Sequence, residues 1–455
     1  MRSTSHLRRG GRSLSHEAER GLKNTLARLS DYKVLIYLGI VSGVAELAYG
    51  IMSQSAIPPY VQELGLTAHI GIIFAAFLLV ETVFKSPMGS LGDRLGRRPL
   101  IVGGALISAF TAFGMTVARK LWALLALRAF DGLAAAIWPT MVAAIGGSVG
   151  PQRRTTAMSV LTVTYIGGLA LGPLLGGIAN DTTHSRLTSF YIVSILFLIT
   201  AAIACFLTPH RSKEEMETAG EVGERSFRLS DVAVGIKAVP DMMLLAFSAF
   251  FAIGLLIPIV KLFAMNELGM SETGYGGLVL PIALAVAGAS LASGRIGDRW
   301  GKARSVRVGL LISATAMWTI TVARGVWELA TAGMFLGMGF VLAMPAWLAL
   351  VSDMASPWNR GAVIGALGTA QGVGAILGAS AGSYLYKMVR IDVWGIEFAT
   401  ANSHYSPFVV SAAALTICLG LSMLFVKEGD HRRIGVADDS GRLVSKSESE
   451  RCKAR

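Results

Sequence analysis

Charge is what this sequence has least of. Only 15% of the 455 residues are Asp, Glu, Lys or Arg, while 53% are hydrophobic and the mean hydropathy is +0.57. A water-soluble chain of this length carries about 25% charged residues, so a soluble globule is excluded. Cysteine is nearly absent too. Cys205, Cys418 and Cys452 are too few for a disulfide framework, and the first two fall inside apolar runs. No His/Cys cluster has metal-ligand spacing, no phosphate-binding loop is present, and no nucleophile–base constellation stands out. The stretch "GVGAILG" at 372–378 mimics a nucleotide fingerprint, but its spacing is wrong and no strand precedes it. The chain is therefore read as a non-enzyme with no cofactor and no metal.

What the sequence has in abundance is long apolar runs. Twelve can be drawn, at roughly 34–57, 70–92, 99–118, 121–147, 155–179, 188–208, 241–265, 273–297, 304–323, 327–351, 361–386 and 406–426. Each is long enough to cross a hydrocarbon core of about 30 Å as a helix. The 52 glycines suit close helix packing in lipid, where small residues let backbones approach. The spacing predicts an all-α polytopic membrane protein with twelve transmembrane helices.

The net charge of +12 invites a nucleic-acid partner, and its placement argues against one. About 32 of the 41 Lys and Arg fall in the two termini and the connections after even-numbered spans, about 6 in the other connections and about 3 within spans. That is the positive-inside pattern, with both termini cytoplasmic. The first thirty residues have the Arg- and Ser-rich composition of a transit peptide, but are read as a basic cytoplasmic tail. The expected location is the cell membrane. Asn180-Asp-Thr182 is a glycosylation sequon in a predicted outer loop, meaningful only in a eukaryote.

The chain also repeats itself. "GSLGDRLGRRP" at 89–99 returns as "GRIGDRWGKAR" at 294–304. An offset of about 206 aligns "GPQRRTTAM" (150–158) with "SPWNRGAVI" (356–364), Pro139 with Pro345, and Gly168, Gly172 and Gly176 with Gly374, Gly378 and Gly382. The organisation read from this is a basic tail over 1–33, a six-helix bundle over 34–208, a polar cytoplasmic linker over 209–240, a second bundle over 241–426 and a cytoplasmic tail over 427–455. Parallel six-helix repeats around a midplane site describe a secondary transporter that rocks one half against the other.

Three motifs resemble those of the major facilitator superfamily, and the resemblance covers nearly the whole chain. "GSLGDRLGRRP" is similar to its signature loop between spans two and three, with Gly89, Asp93, Arg94, Gly96, Arg97 and Arg98 in the motif positions. The second copy keeps Gly294, Asp298, Arg299, Gly301 and Lys302, but has Ala303 for the last basic residue. "RAFDG" in span four resembles the Arg-x-x-x-Gly element through Arg128 and Gly132. "GLALGPLLGG" resembles the span-five element of twelve-span drug/proton antiporters through Gly168, Gly172, Pro173, Gly176 and Gly177. The resemblance implies two pseudo-symmetric bundles, alternating access and export.

The charged turns are read as latches. Asp93 is expected near the N-terminus of span eleven, around Gly361, and Asp298 near the start of span five, around Thr155. There a helix macrodipole favours an anion by about 0.3–2 kcal/mol, enough to bias an equilibrium and weak enough to break in each cycle. Within the spans, Glu46, Glu81, Arg128 and Asp131 are functional candidates, because an ionisable group at depth costs about 2.5–3.5 kcal/mol on insertion scales. At ~1.5 Å per residue, Glu46 and Arg128 reach similar depth and are expected to pair. Asp131, one turn from Arg128 on the same face, competes for the guanidinium, and Lys85 neutralises Glu81 at i+4. At the aligned positions the second half has Met334 and Gly337, so it is expected to supply walls, from Phe251, Met338, Met344 and Trp347. The span-five glycines are expected to pack on those of span eleven, while Pro58–Pro59 is read as a span end.

The leading expectation is a monomeric, proton-coupled exporter of amphipathic or cationic small molecules, whose partners are that substrate, protons and the bilayer. Glu46, then Asp131, then Glu81 is the ranking for the proton site. The alternatives are a proton-coupled transporter of one metabolite, sugar or lipid, and a non-transporting membrane sensor.

Overall fold

A computed structural model describes residues 36–37, 39–137, 154–207, 236, 239–354, 360–388, 403–426, 436–437 and 443–444. The side chains of Asp93, Arg94, Arg97 and Asp298 lie outside the described residues, as do the side chains at 154–163 and 360–362.

The described chain is helical apart from a short antiparallel pair, Val436–Ala437 with Leu443–Val444. Helix α1 runs over 39–50, continues through a π-helical segment, Ile51–Ala56, and ends as Ile57–Glu63. Then follow α2 (Ile70–Leu95), α3 (Arg97–Met115), α4 (Leu121–Ala135), α5 (Arg154–Thr183) and α6 (Leu187–Leu207). In the second half, α7 is broken into Pro240–Gly254 and Val260–Asn266. After it come α8 (Glu272–Trp300), α9 (Lys302–Thr321), α10 (Val326–Met354), α11 (Arg360–Met388) and α12 (Ser406–Phe425). Each of these twelve helices falls on one of the twelve apolar runs, with 138–147 of the fourth run outside the described residues. Seven of the described helices are long and apolar enough to cross a membrane by length and composition alone. Helices α1 and α7 are interrupted, and α5 dilutes its apolar residues with five glycines.

Each bundle packs in the same way. In the first, α3 lies on α6 and α2 on α4; in the second, α9 lies on α12 and α8 on α10. The halves meet where α5 packs on α8 and α11 on α2. The charged turns have matching backbones. Gly96 has φ 88° and ψ 155°, and Gly301 has φ 89° and ψ 148°. A side chain is strained in that region, so the repeat of glycine at this point is a backbone requirement. Arg98 on α3 donates to the carbonyl of Cys205, near the end of α6, and Arg307 on α9 donates to the carbonyl of Val426, just past α12. Both bonds satisfy carbonyls that a helix end leaves without a partner.

The buried core is continuous at one end of the molecule and divided at the other. Far from the charged turns, Ile51, Ile57 and Phe190 of the first half share one apolar cluster with Phe263, Tyr386 and Phe408 of the second. Nearer the turns, the described core splits into Val41, Leu100, Ile101, Ile137 and Ala204 in the first bundle and a separate set around Val306, Trp347 and Leu350 in the second. Trp347, expected on a wall, is a core residue, only 3% exposed.

Candidate functional site

The first bundle buries a charged pair. Arg128 and Asp131 sit one turn apart on α4, with Nη1 and Oδ2 2.5 Å apart and each residue 1% exposed. Gly132, one turn from Arg128, faces α2 so closely that a Cβ there would collide with the Phe77 carbonyl. That approach lays the Phe77 ring against the guanidinium, 4.1 Å from its carbon, with Phe74 at 5.7 Å. The Arg-x-x-x-Gly element is thus a packing device that seats an arginine between a carboxylate and an aromatic face. Arg128 Nε has no acceptor among the described residues. Asp131 Oδ1 accepts a hydrogen bond of 2.9 Å from Ser108 on α3, whose Oγ is 3.0 Å from the Tyr49 hydroxyl on α1.

Glu46 is placed differently from expectation. It makes no ion pair among the described residues. The reason is local: Asp131 is held on the same helix as Arg128 and one turn away, so it takes the guanidinium without ordering a second helix. Glu46 instead lines a cavity of about 70 Å³ inside the first bundle, with Ser42, Tyr49, Ser108, Phe197 and Thr200. It lies near enough to Glu81 for the two charges to interact, and Tyr165 on α5 feels both. Glu81 is half-buried and paired with Lys85 at 2.8 Å, as its i, i+4 spacing suggested.

The glycines of α5 do not meet those of α11. Gly168, Gly172 and Gly176 lie on α1: a Cβ at Gly172 would come within 2.5 Å of Gly50 C, and one at Gly176 within 2.5 Å of Ser55 Cβ. Gly177 faces the start of α8, at Glu272 and Thr273, and the Pro173 carbonyl accepts a 3.0 Å bond from Ser55 Oγ. The α11 glycines, Gly374, Gly378 and Gly382, lie on Phe247 and Phe251 of α7 and on Leu255, at the break between its two segments. Each glycine-rich helix therefore seals against the first helix of its own bundle, which the internal repeat makes consistent. At the turns, Gly89 lies within the last turns of α2, Arg299 is exposed in the last turn of α8, and Lys302 pairs with Asp353 of α10. Asp93 and Asp298 belong to helices that do neighbour α11 and α5, but their contacts fall outside the described side chains.

A second charged cluster, not singled out in the sequence, closes the far end. Lys261 on α7 is 1% exposed and lies 2.7 Å from Glu272 of α8. Its Nζ also reaches the Ser55 carbonyl at 3.2 Å. In an α-helix that carbonyl would take the N–H of residue 59, but residue 59 is proline and has none. Pro58–Pro59 does not end the helix; it opens the last segment of α1 and frees an acceptor for the lysine. Glu272 further accepts from Asn180 at 2.9 Å and lies 3.7 Å from Arg186, both of the first half, while Asp181 accepts from the Thr273 N–H at 2.8 Å. Asn180 is thereby buried, at odds with a glycosylated outer loop. The available signals were Lys261 itself, one of the few in-span cations, and the proline pair.

No group of three or more His, Cys, Asp or Glu among the described residues is placed to hold a metal. The arrangement offers instead a carboxylate beside a cavity, a buried ion pair hydrogen-bonded to a serine that lines the same cavity, and a polar clasp between the bundles.

Comparison with known proteins agrees with this architecture. A family model described as the Major Facilitator Superfamily matches residues 38–239 and 242–449. The multidrug resistance protein MdtG of Salmonella arizonae is 28% identical over 305 residues, covering 64% of this chain and 73% of the relative. Among solved structures, the nucleoside transporter NupG superposes with a TM-score of 0.70 at 13% identity, over 87% of this chain and 99% of that one. A bacterial homologue of the human lysosomal transporter Spinster, in an inward-facing and unoccupied conformation, gives 0.69 at 16% identity, over 87% and 98%. At these identities the structural likeness shows the fold alone.

Proposed function

The chain belongs to the major facilitator superfamily and is a multi-pass membrane transporter, and on that footing we propose that it exports amphipathic or cationic small molecules in exchange for protons. The observation that carries this reading is Glu46: a carboxylate on a bundle cavity, with no ion-pair partner among the described residues and with a second carboxylate, Glu81, in electrostatic reach. A bare carboxylate at membrane depth is costly, so it is stable with a proton on it or a cation beside it. Those two states exclude each other, which is the condition for exchange. The similarity to MdtG and the glycine-proline element of α5 support export.

The charged-turn end is assigned to the cytoplasm by the positive-inside pattern, which puts both termini there too. The shared core and the Lys261–Glu272 clasp then close the outer face. Opening outward requires Glu272 to leave Asn180 and Arg186, and the cytoplasmic latches at Asp93 and Asp298 offset that loss. One proton crossing 100 mV supplies about 2.3 kcal/mol, roughly a fifty-fold substrate gradient, so a single titrating acid suffices.

The test is substrate-stimulated proton flux in proteoliposomes across a panel of lipophilic cations. Glu46→Gln abolishes it at unchanged expression; full retained flux in that variant refutes the assignment. Transport of one polar metabolite has one observation in its favour, the hydroxyls of Ser42, Tyr49, Ser108 and Thr200 on the same cavity. A panel response confined to one hydroxyl-rich compound would support that second reading.

A further inference from the structure

We propose that Tyr49 and Ser108 form an oriented proton relay joining the Glu46 cavity to Asp131, an inference that rests on the proton-coupled reading above. Asp131 is only 1% exposed, so it has little direct access to water. Ser108, also 1% exposed, donates its single hydroxyl proton to Asp131 Oδ1 at 2.9 Å. With that proton committed, Ser108 Oγ can only accept from Tyr49, 3.0 Å away, so the tyrosine is the donor of that pair. Both hydroxyls therefore point the same way, toward the carboxylate. The tyrosine oxygen keeps its lone pairs for a donor on the cavity side, and Glu46 lines the same cavity one turn earlier on α1. The cavity, about 70 Å³, is large enough for water to bridge them.

The transfer balances. Protonated Glu46 gives its proton, directly or through water, to the Tyr49 oxygen. Tyr49 passes its own hydroxyl proton to Ser108, and Ser108 passes its own to Asp131. Only O–H bonds form and break. Glu46 ends as the carboxylate and Asp131 as the neutral acid, which strips Arg128 of its counter-charge and places a new one on α1. A negative charge has then moved from α4 to α1 without any side chain crossing the bundle, and the attraction of Arg128 follows it. The two hydroxyls must rotate back before a second proton can pass, so the relay also meters transfer. The other groups that face this path are Glu81 with Lys85 on α2 and Tyr165 on α5; α6 carries no charged residue, and α3 has only Arg97 and Arg98 at its turn end.

Tyr49 also packs edge-on to Phe197, with ring centroids 4.9 Å apart, so the test must separate ring from oxygen. Tyr49→Phe keeps the ring and removes the hydroxyl; Ser108→Ala removes the second link, and Ser108→Thr restores it. In proteoliposomes loaded with a pH indicator, exchange is started with tetraphenylphosphonium and a panel of lipophilic cations. Tyr49→Phe and Ser108→Ala should each slow proton-coupled exchange at least about tenfold, a modest loss for a displaced proton-transfer group. They should also flatten its pH profile, and Ser108→Thr should recover most of the rate. If both variants exchange at the wild-type rate with the wild-type pH profile while Glu46→Gln is inactive, the relay is wrong and antiport stands. If the wild type moves no proton with any cation, both fall together.

Discussion

The two bundles share a scaffold and divide the chemistry. Gly96 and Gly301 turn the chain through the same left-handed conformation, Arg98 and Arg307 hold the ends of α6 and α12, and each glycine-rich helix seals against the first helix of its bundle. At the level of α4 the likeness stops. Where the first bundle seats Arg128 and Asp131, the repeat has Met334 and Gly337, and Gly337 packs against the Val286 side chain. Duplicated features are thus those that any six-helix unit needs in order to pack and turn. The unduplicated ones, Glu46, Arg128 and Asp131 on one side and Lys261 with Glu272 on the other, are charges whose burial packing alone does not require.

That division can be broken most decisively at α4. Arg128→Met strands a buried carboxylate and should lower stability by about 3–5 kcal/mol, whereas Arg128→Met with Asp131→Leu should regain most of it. The double variant should still fail to exchange protons. Thermal unfolding in detergent beside a flux assay reads both, and a transporting double variant would show the pair to be structural only. Next in size are the matched seams. Gly172→Ala and Gly378→Ala both drive a methyl into backbone and should each cost about 1–3 kcal/mol, by the same mechanism in both bundles. A loss confined to one of them would argue that the seams are not equivalent. Smallest are the turns: Gly96→Ala and Gly301→Ala should each cost about 1–2 kcal/mol of backbone strain, matched within error in the same unfolding experiment.

Much of this was legible in the sequence. Periodic apolar runs give the twelve spans because a membrane leaves no other way to satisfy the backbone, and the offset repeat fixes which helices correspond. The candidate site was legible as a set of residues but not as a set of contacts. Depth along an axis suggested Glu46 for Arg128, yet depth says nothing of which way a side chain faces, and the neighbour on the same helix took the pair. A four-residue glycine spacing marks a face for close approach without naming the helix that approaches; α1 and α7 receive those faces, not each other's glycine helices. Lys261 is a single letter inside an apolar run, and its role appears only once Pro59 is seen to leave the Ser55 carbonyl free. Trp347 shows the converse, an aromatic residue expected on a wall and found in a core.

The most direct test of proton–substrate exchange at the first bundle is proton release on binding, followed with a pH indicator in weakly buffered detergent solution of the purified chain. Saturating a lipophilic cation should release about one proton per molecule of the wild-type protein and essentially none from Glu46→Gln, as expected for a cation and a proton competing for one carboxylate. Equal release from both proteins, or none from the wild type while the cation binds, would contradict it.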